Sequence, residues 1–81
     1  MRNFKIGDRV VPSSGIACVL SPHDFNEERW SSREWVGIDF LPGEVGIIIE
    51  FGEKDYFGTL NARILVPRGI GWGSTKWVVK V

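Results

Sequence analysis

The run Gly43-Glu44-Val45-Gly46-Ile47-Ile48-Ile49-Glu50-Phe51 constrains the fold more than any other stretch of the chain. Three successive isoleucines are stiff at χ1 and favour a pleated strand over a helix. Glycines flank the entrance, and Gly52-Glu53-Lys54-Asp55 has the composition of a terminating turn. On a period of two, Val45, Ile47, Ile49 and Phe51 share one face and Glu44, Gly46, Ile48 and Glu50 the other. The first set is the expected core face. Ile48 then falls between Gly46 and Glu50 on the supposedly wet face, where it needs a cover from elsewhere in the chain or from a second subunit.

Other segments repeat the strand pattern. Phe4, Ile6, Asp8 and Val10 alternate with Lys5, Gly7, Arg9 and Val11, and Pro12-Ser13-Ser14-Gly15 closes the segment as a turn. Ile16 to Leu20 is short and apolar on both faces, which predicts a doubly covered second strand. Glu34 to Phe40 alternates again, with Val36, Ile38 and Phe40 on one face and Trp35, Gly37 and Asp39 on the other. The tight Leu41-Pro42-Gly43 connection predicts that it forms a hairpin with the Gly43–Phe51 strand. Arg63 to Val66, ended by Pro67, is a further strand, and Gly58 marks a bulge or bend before it. Arg68 to Ser74, with glycines at alternate positions, is a loop by composition. Lys76 to Val81 forms the last strand, with Trp77, Val79 and Val81 facing the core. Between Asp24 and Trp30 the spacing of Asp24 and Glu27 suits either one capped helical turn or an ordered acidic loop.

The expected architecture is all-β: residues 1–81 form a single small barrel of five to six short antiparallel strands, with a long excursion that holds at most one helical turn. Closure would hide strand edges that a sheet of this size exposes. Phe4-Lys5-Ile6-Gly7-Asp8-Arg9-Val10, the excursion, the Gly43-x-x-Gly-Ile-Ile-Ile run and the terminal Trp77-Val78-Val79-Lys80-Val81 together resemble the SH3-like small β-barrels, nearest to those of KOW type. The resemblance covers about a quarter of the chain. It implies a non-enzymatic module that binds protein segments, nucleic acid or the docking face of a larger complex. One departure is that the excursion carries Asp24, Glu27, Glu28 and Glu34 against Arg29 and Arg33, where a KOW-type nucleic-acid binder is usually basic.

The charges bear on the partner. Ten basic and ten acidic residues leave no net field to attract a polyanion. No stretch approaches the ~18 apolar residues of a membrane span, and no basic segment followed by an apolar one opens the chain, so the expectation is a cytoplasmic protein with no membrane contact. With so few residues to form a core, self-association into a homo-oligomer would help stability.

Catalytic signals are weak. His23 and Asp24 lie near Ser21 and Ser13, but neighbours in sequence are rarely arranged as a relay, and a capped loop with a solvated histidine accounts for them. His23, Asp24, Glu27 and Glu28 match no structural zinc spacing, and Gly69-Ile70-Gly71-Trp72-Gly73 lacks the strand-to-helix context of a phosphate-binding loop. Cys18, within Ile16-Ala17-Cys18-Val19-Leu20, reads as a small core residue. The chain is therefore expected to be neither an enzyme nor a carrier of a cofactor or metal.

Tryptophan is the better functional signal. Four in 81 residues exceed what a small core holds, because each ring brings an N–H that needs a partner. Trp72, Trp35 and Trp30, with the nearby Arg68, Arg33 and Arg29, have the composition of a contact hot spot. Asp39 and Glu28 complete the expected surface, Glu27 and Glu28 together selecting a basic rim. Trp30 and Trp72 equally suit a second mini-core under the excursion. The first functional reading is a protein-binding accessory subunit or inhibitor of the kind found in phage and mobile elements. The second is a nucleotide or small-anion receptor in which Trp72 stacks on a base, and the third is single-stranded nucleic-acid binding.

Overall fold

The computed structural model describes residues 4–22, 37–54 and 58–81. Its described residues form strands β1 (Arg9–Pro12), β2 (Cys18–Leu20), β3 (Ile38–Phe40), β4 (Gly46–Lys54), β5 (Leu60–Val66), β6 (Gly69–Ser74) and β7 (Val78–Lys80), with 3-10 turns at Ser13–Gly15 and Thr75–Trp77. β6, β5, β4, β1 and β7 make one antiparallel sheet in that order, and β2 and β3 make a second of two strands. The all-β class holds. Neither sheet closes on itself among the described residues, and the two are joined by one bridge between Ser21 and Trp72.

Side chains from both sheets meet in one core made of Val10, Cys18, Leu20, Phe40, Ile48, Ala62, Ile64, Val66 and Val78, against which Phe4, Ile38 and Phe51 pack. The central strand β4 therefore turns the opposite face inward from the one its pattern suggests. Ile48 is fully buried, while Val45 and Ile47 are about two-fifths exposed. Gly46 explains the choice, because a β-carbon there would stand 2.7 Å from Ile64 Cγ2 and 3.1 Å from both Phe40 and Val66. Only a residue without a side chain lets the core close over it. Strict alternation would next bury Glu50. Instead the register slips between Ile48 and Glu50, so that Glu50 stands opposite Arg63 and points outward while Phe51 turns toward the core.

Four further expectations are corrected. The opening segment is a turn up to Asp8 rather than a strand: Lys5 N–H donates to Asp8 Oδ2 at 2.7 Å, Asp8 N–H donates to Lys5 C=O at 3.0 Å, and Gly7 takes φ +97°. β3 pairs with β2, not with β4, so the Leu41–Glu44 turn carries the chain from one sheet to the other. β4 runs through Gly52 to Lys54, past the expected turn. Residues 69–74 are not a loop but the edge strand β6, paired with β5 along its whole length. Its alternate glycines are what the strand requires, since Gly71 and Gly73 face inward and leave a bare floor on which Leu20 lies. The proposed helical turn at 24–30 and the first half of the 34–40 strand lie outside the described residues.

Candidate binding groove

β1 ends at Pro12, whose missing N–H costs nothing because this residue faces Val78 at a position where the ladder needs no donor. The chain then reverses through Ser13–Gly15, where Ser14 (φ +57°) and Gly15 (φ +67°) both adopt left-handed backbone. Opposite this reversal stands the second 3-10 turn, Thr75–Trp77. Ser74 Oγ accepts from Lys76 N–H at 3.2 Å as its N-cap, and Thr75 Oγ1 donates to Leu60 C=O at 2.9 Å, fastening it to β5. Between the two turns and β2 lies a groove of about 460 Å³ lined by Ser13, Ser14, Ile16, Ala17, Cys18, Val19, Lys76 and Trp77.

The groove is mostly apolar, and its large side chains are accessible: Trp77 is 40% exposed, Val19 46% and Ile16 68%. Trp77 was expected in the core beside Val79 and Val81. The core position is instead taken by Val78, and Val81 is exposed. The indole is still anchored on one side, where Cε3 lies within 3.4 Å of the place a β-carbon on Gly73 would occupy. It is a half-buried ring held at the mouth of the core.

Cys18 forms the groove floor. Its Sγ donates to the Trp77 carbonyl at 3.3 Å, and burial pushes the thiol pKa up. A thiol held protonated and spent on a carbonyl is a packing group, not a nucleophile. Among the described residues of the lining, neither a carboxylate nor an imidazole stands beside Ser13 or Ser14.

The residues singled out in the sequence are dispersed. Trp72 is half-buried in β6, opposite Arg63, with its backbone N–H and C=O both bonded to Ser21. Arg68 sits in the β5–β6 turn, where its guanidinium pairs with Glu44. Asp39 is exposed on β3 opposite Val19. Trp30, Trp35, Arg29, Arg33 and Glu28 lie outside the described residues. The groove-lining residues Ile16, Val19, Lys76 and Trp77 were not singled out in the sequence, because alternation placed Trp77 inward and the Ile16–Leu20 run suggested cover on both faces.

Comparison with protein-family models, curated proteins and solved structures finds no match. The groove must be judged on its own chemistry.

A second exposed apolar surface lies on the outer face of the large sheet. Ile47 stands opposite Leu65 and Leu65 opposite Ile70, a row across three strands with Val45 beside it. The row is bounded by Arg9 on β1 and by the exposed pair Glu50–Arg63.

Proposed function

We propose that the chain is a non-catalytic binding module of SH3-like build that holds a protein partner in the groove between Ser13–Gly15, β2 and Thr75–Trp77. The observation that carries this reading is the half-exposed Trp77, anchored on Gly73 at the mouth of the core and flanked by exposed Ile16 and Val19. An aromatic ring fixed on one side and open on the other is what interfaces use as an anchor, because little side-chain entropy is left to lose on binding.

Protein ranks above nucleotide or nucleic acid because Lys76 is the single cation among the described residues of the lining, and one ammonium holds a phosphate poorly without a second donor of its kind. The test is capture from the source organism's lysate on immobilised wild-type chain beside the Trp77→Ala and Val19→Asp variants, each checked for folding by circular dichroism. A protein held by the wild type and lost by both folded variants supports the reading. A protein held equally by all three, or nucleic acid held in its place, overturns it.

A further inference from the structure

The outer face of the large sheet is built from residues that stand opposite one another on successive strands. Ile70 on β6 faces Leu65 on β5, Leu65 faces Ile47 on β4, and Ile47 faces Arg9 on β1. Further along the same strands, Trp72 faces Arg63 and Arg63 faces Glu50. Directly opposed side chains share a face, so the two rows make one surface. Ile47, Leu65 and Ile70 are 39 to 42% exposed on it, and Val45, beside Ile47, is 45% exposed. Aliphatic residues exposed singly need no explanation, but these are contiguous across three strands.

The charges on this surface decide what covers it. Arg63 Nη1 lies 3.5 Å from Glu50 Oε1, a long contact between exposed side chains that contributes little while it stands in water. The two groups lie on adjacent strands, beside the apolar row and at the same height along it. A two-fold axis lying in the contact plane, parallel to the strands and midway between β4 and β5, exchanges these two strands between copies. It sets Glu50 against the partner's Arg63 and Arg63 against the partner's Glu50. The same operation lays Ile47 on the partner's Leu65 and carries β1 over β6, so that the Arg9 stem covers the partner's Ile70 and its guanidinium reaches the partner's Trp72. A partner of another kind would have to present this order of charges in reverse, whereas a second copy presents it by symmetry. A formal net charge of zero leaves no overall repulsion between copies.

We propose that the outer face of the large sheet is a self-complementary dimer contact, in which two copies pack sheet on sheet about the axis between β4 and β5. The four strands β6, β5, β4 and β1 at about 4.8 Å spacing, and the stretch from Val45 to Glu50 at ~3.3 Å per residue, give a footprint of roughly 19 by 17 Å. With the side chains that stand on it, this footprint buries on the order of 600 Å² per copy, the low end of specific interfaces. The dimer is accordingly weak, with a Kd on the order of 10 μM, and the chain is monomeric at about 1 μM. The groove shares no lining residue with this face, so the two contacts stand or fall separately.

The test follows the mass of the full 81-residue chain by sedimentation velocity from about 1 μM to about 500 μM. The expected result is a monomer that becomes a dimer across this range, and a loss of the dimer in Leu65→Asp. Arg63→Glu and Glu50→Arg should each weaken association by about tenfold, and an equimolar mixture of the two should recover it, because the first then presents two acids and the second two bases. Both side chains are exposed and outside the core, so their reversal separates loss of the dimer from loss of fold, which circular dichroism of each variant checks. A chain still monomeric at the highest concentration leaves this face to a partner of another kind and overturns the proposal. A dimer that persists in Leu65→Asp and in both charge reversals forms through another surface and overturns it equally. Recovery that fails in the mixture removes the axis on which the contact is built.

Discussion

A β-carbon placed on Gly71 would stand 2.6 Å from the β-carbon of Leu20 and 3.2 Å from the Ser21 carbonyl oxygen. The two-stranded sheet therefore rests directly on the backbone of β6. At Gly73 the nearest atom is Leu20 Cδ2, also at 2.6 Å, but this is the far end of a side chain that can rotate. Gly71→Ala should accordingly be the more damaging change, because it pushes on the base of Leu20 and on backbone. Overpacking of this kind costs about 1 to 3 kcal/mol. Urea unfolding of the two variants checks the order, and an equal or larger loss for Gly73→Ala would contradict the packing described.

The inward face of β4 gives a second comparison. Ile48→Ala empties a fully buried site and should cost about 2 to 5 kcal/mol, whereas Ile47→Thr, on the outer face, should stay within about 1 kcal/mol of wild type. Paired denaturant melts decide it, and the face assigned from alternation alone predicts the reverse.

That reversal shows where sequence reading stops. The existence of β4 was legible because nothing but a strand suits three successive isoleucines. Its facing was not, since both faces carried isoleucine and the deciding fact, that Phe40, Ile64 and Val66 converge on Gly46, is a tertiary one. The same limit explains β6, where alternate glycines look like a loop until Leu20 is seen lying on them. For the site, tryptophan abundance pointed toward exposed aromatic surface, but period two put Trp77 inward because the 3-10 turn that breaks the alternation just before Val78 has no local signature beyond Ser74 as its cap.

Two carboxylates should shape the acid limb of stability. The Lys5 backbone N–H, followed by the ammonium of Lys80, holds the Asp8 carboxyl below its ordinary value, and the Leu41 N–H with the Arg68 guanidinium does the same for Glu44. Both groups are depressed in the fold, so their contribution is complete above the ordinary carboxylate range. It is lost as pH falls through their lowered folded values, from about pH 4 downward. Asp8→Asn and Glu44→Gln keep an acceptor for the backbone N–H and remove the charge. The double variant should show a lower Tm at neutral pH and a shallower fall of Tm with acid than wild type. Parallel acid limbs would mean that these two groups do not carry the effect.

The last prediction concerns Cys18, which tests the groove floor without any ligand. Reaction with iodoacetamide requires both thiolate and access. Cys18 is short of each, since burial raises its pKa and its thiol hydrogen is directed at the Trp77 carbonyl. The native chain near pH 8 should therefore alkylate at least about tenfold more slowly than the urea-unfolded chain, followed by mass spectrometry. Trp77→Ala opens the groove above the sulfur while sparing the backbone carbonyl, so alkylation should speed up in that variant more than its loss of stability accounts for. Rapid labelling of the wild type would show that the floor is open and that Cys18 is a reactive group of the groove, which would remove the basis for reading the site as non-catalytic.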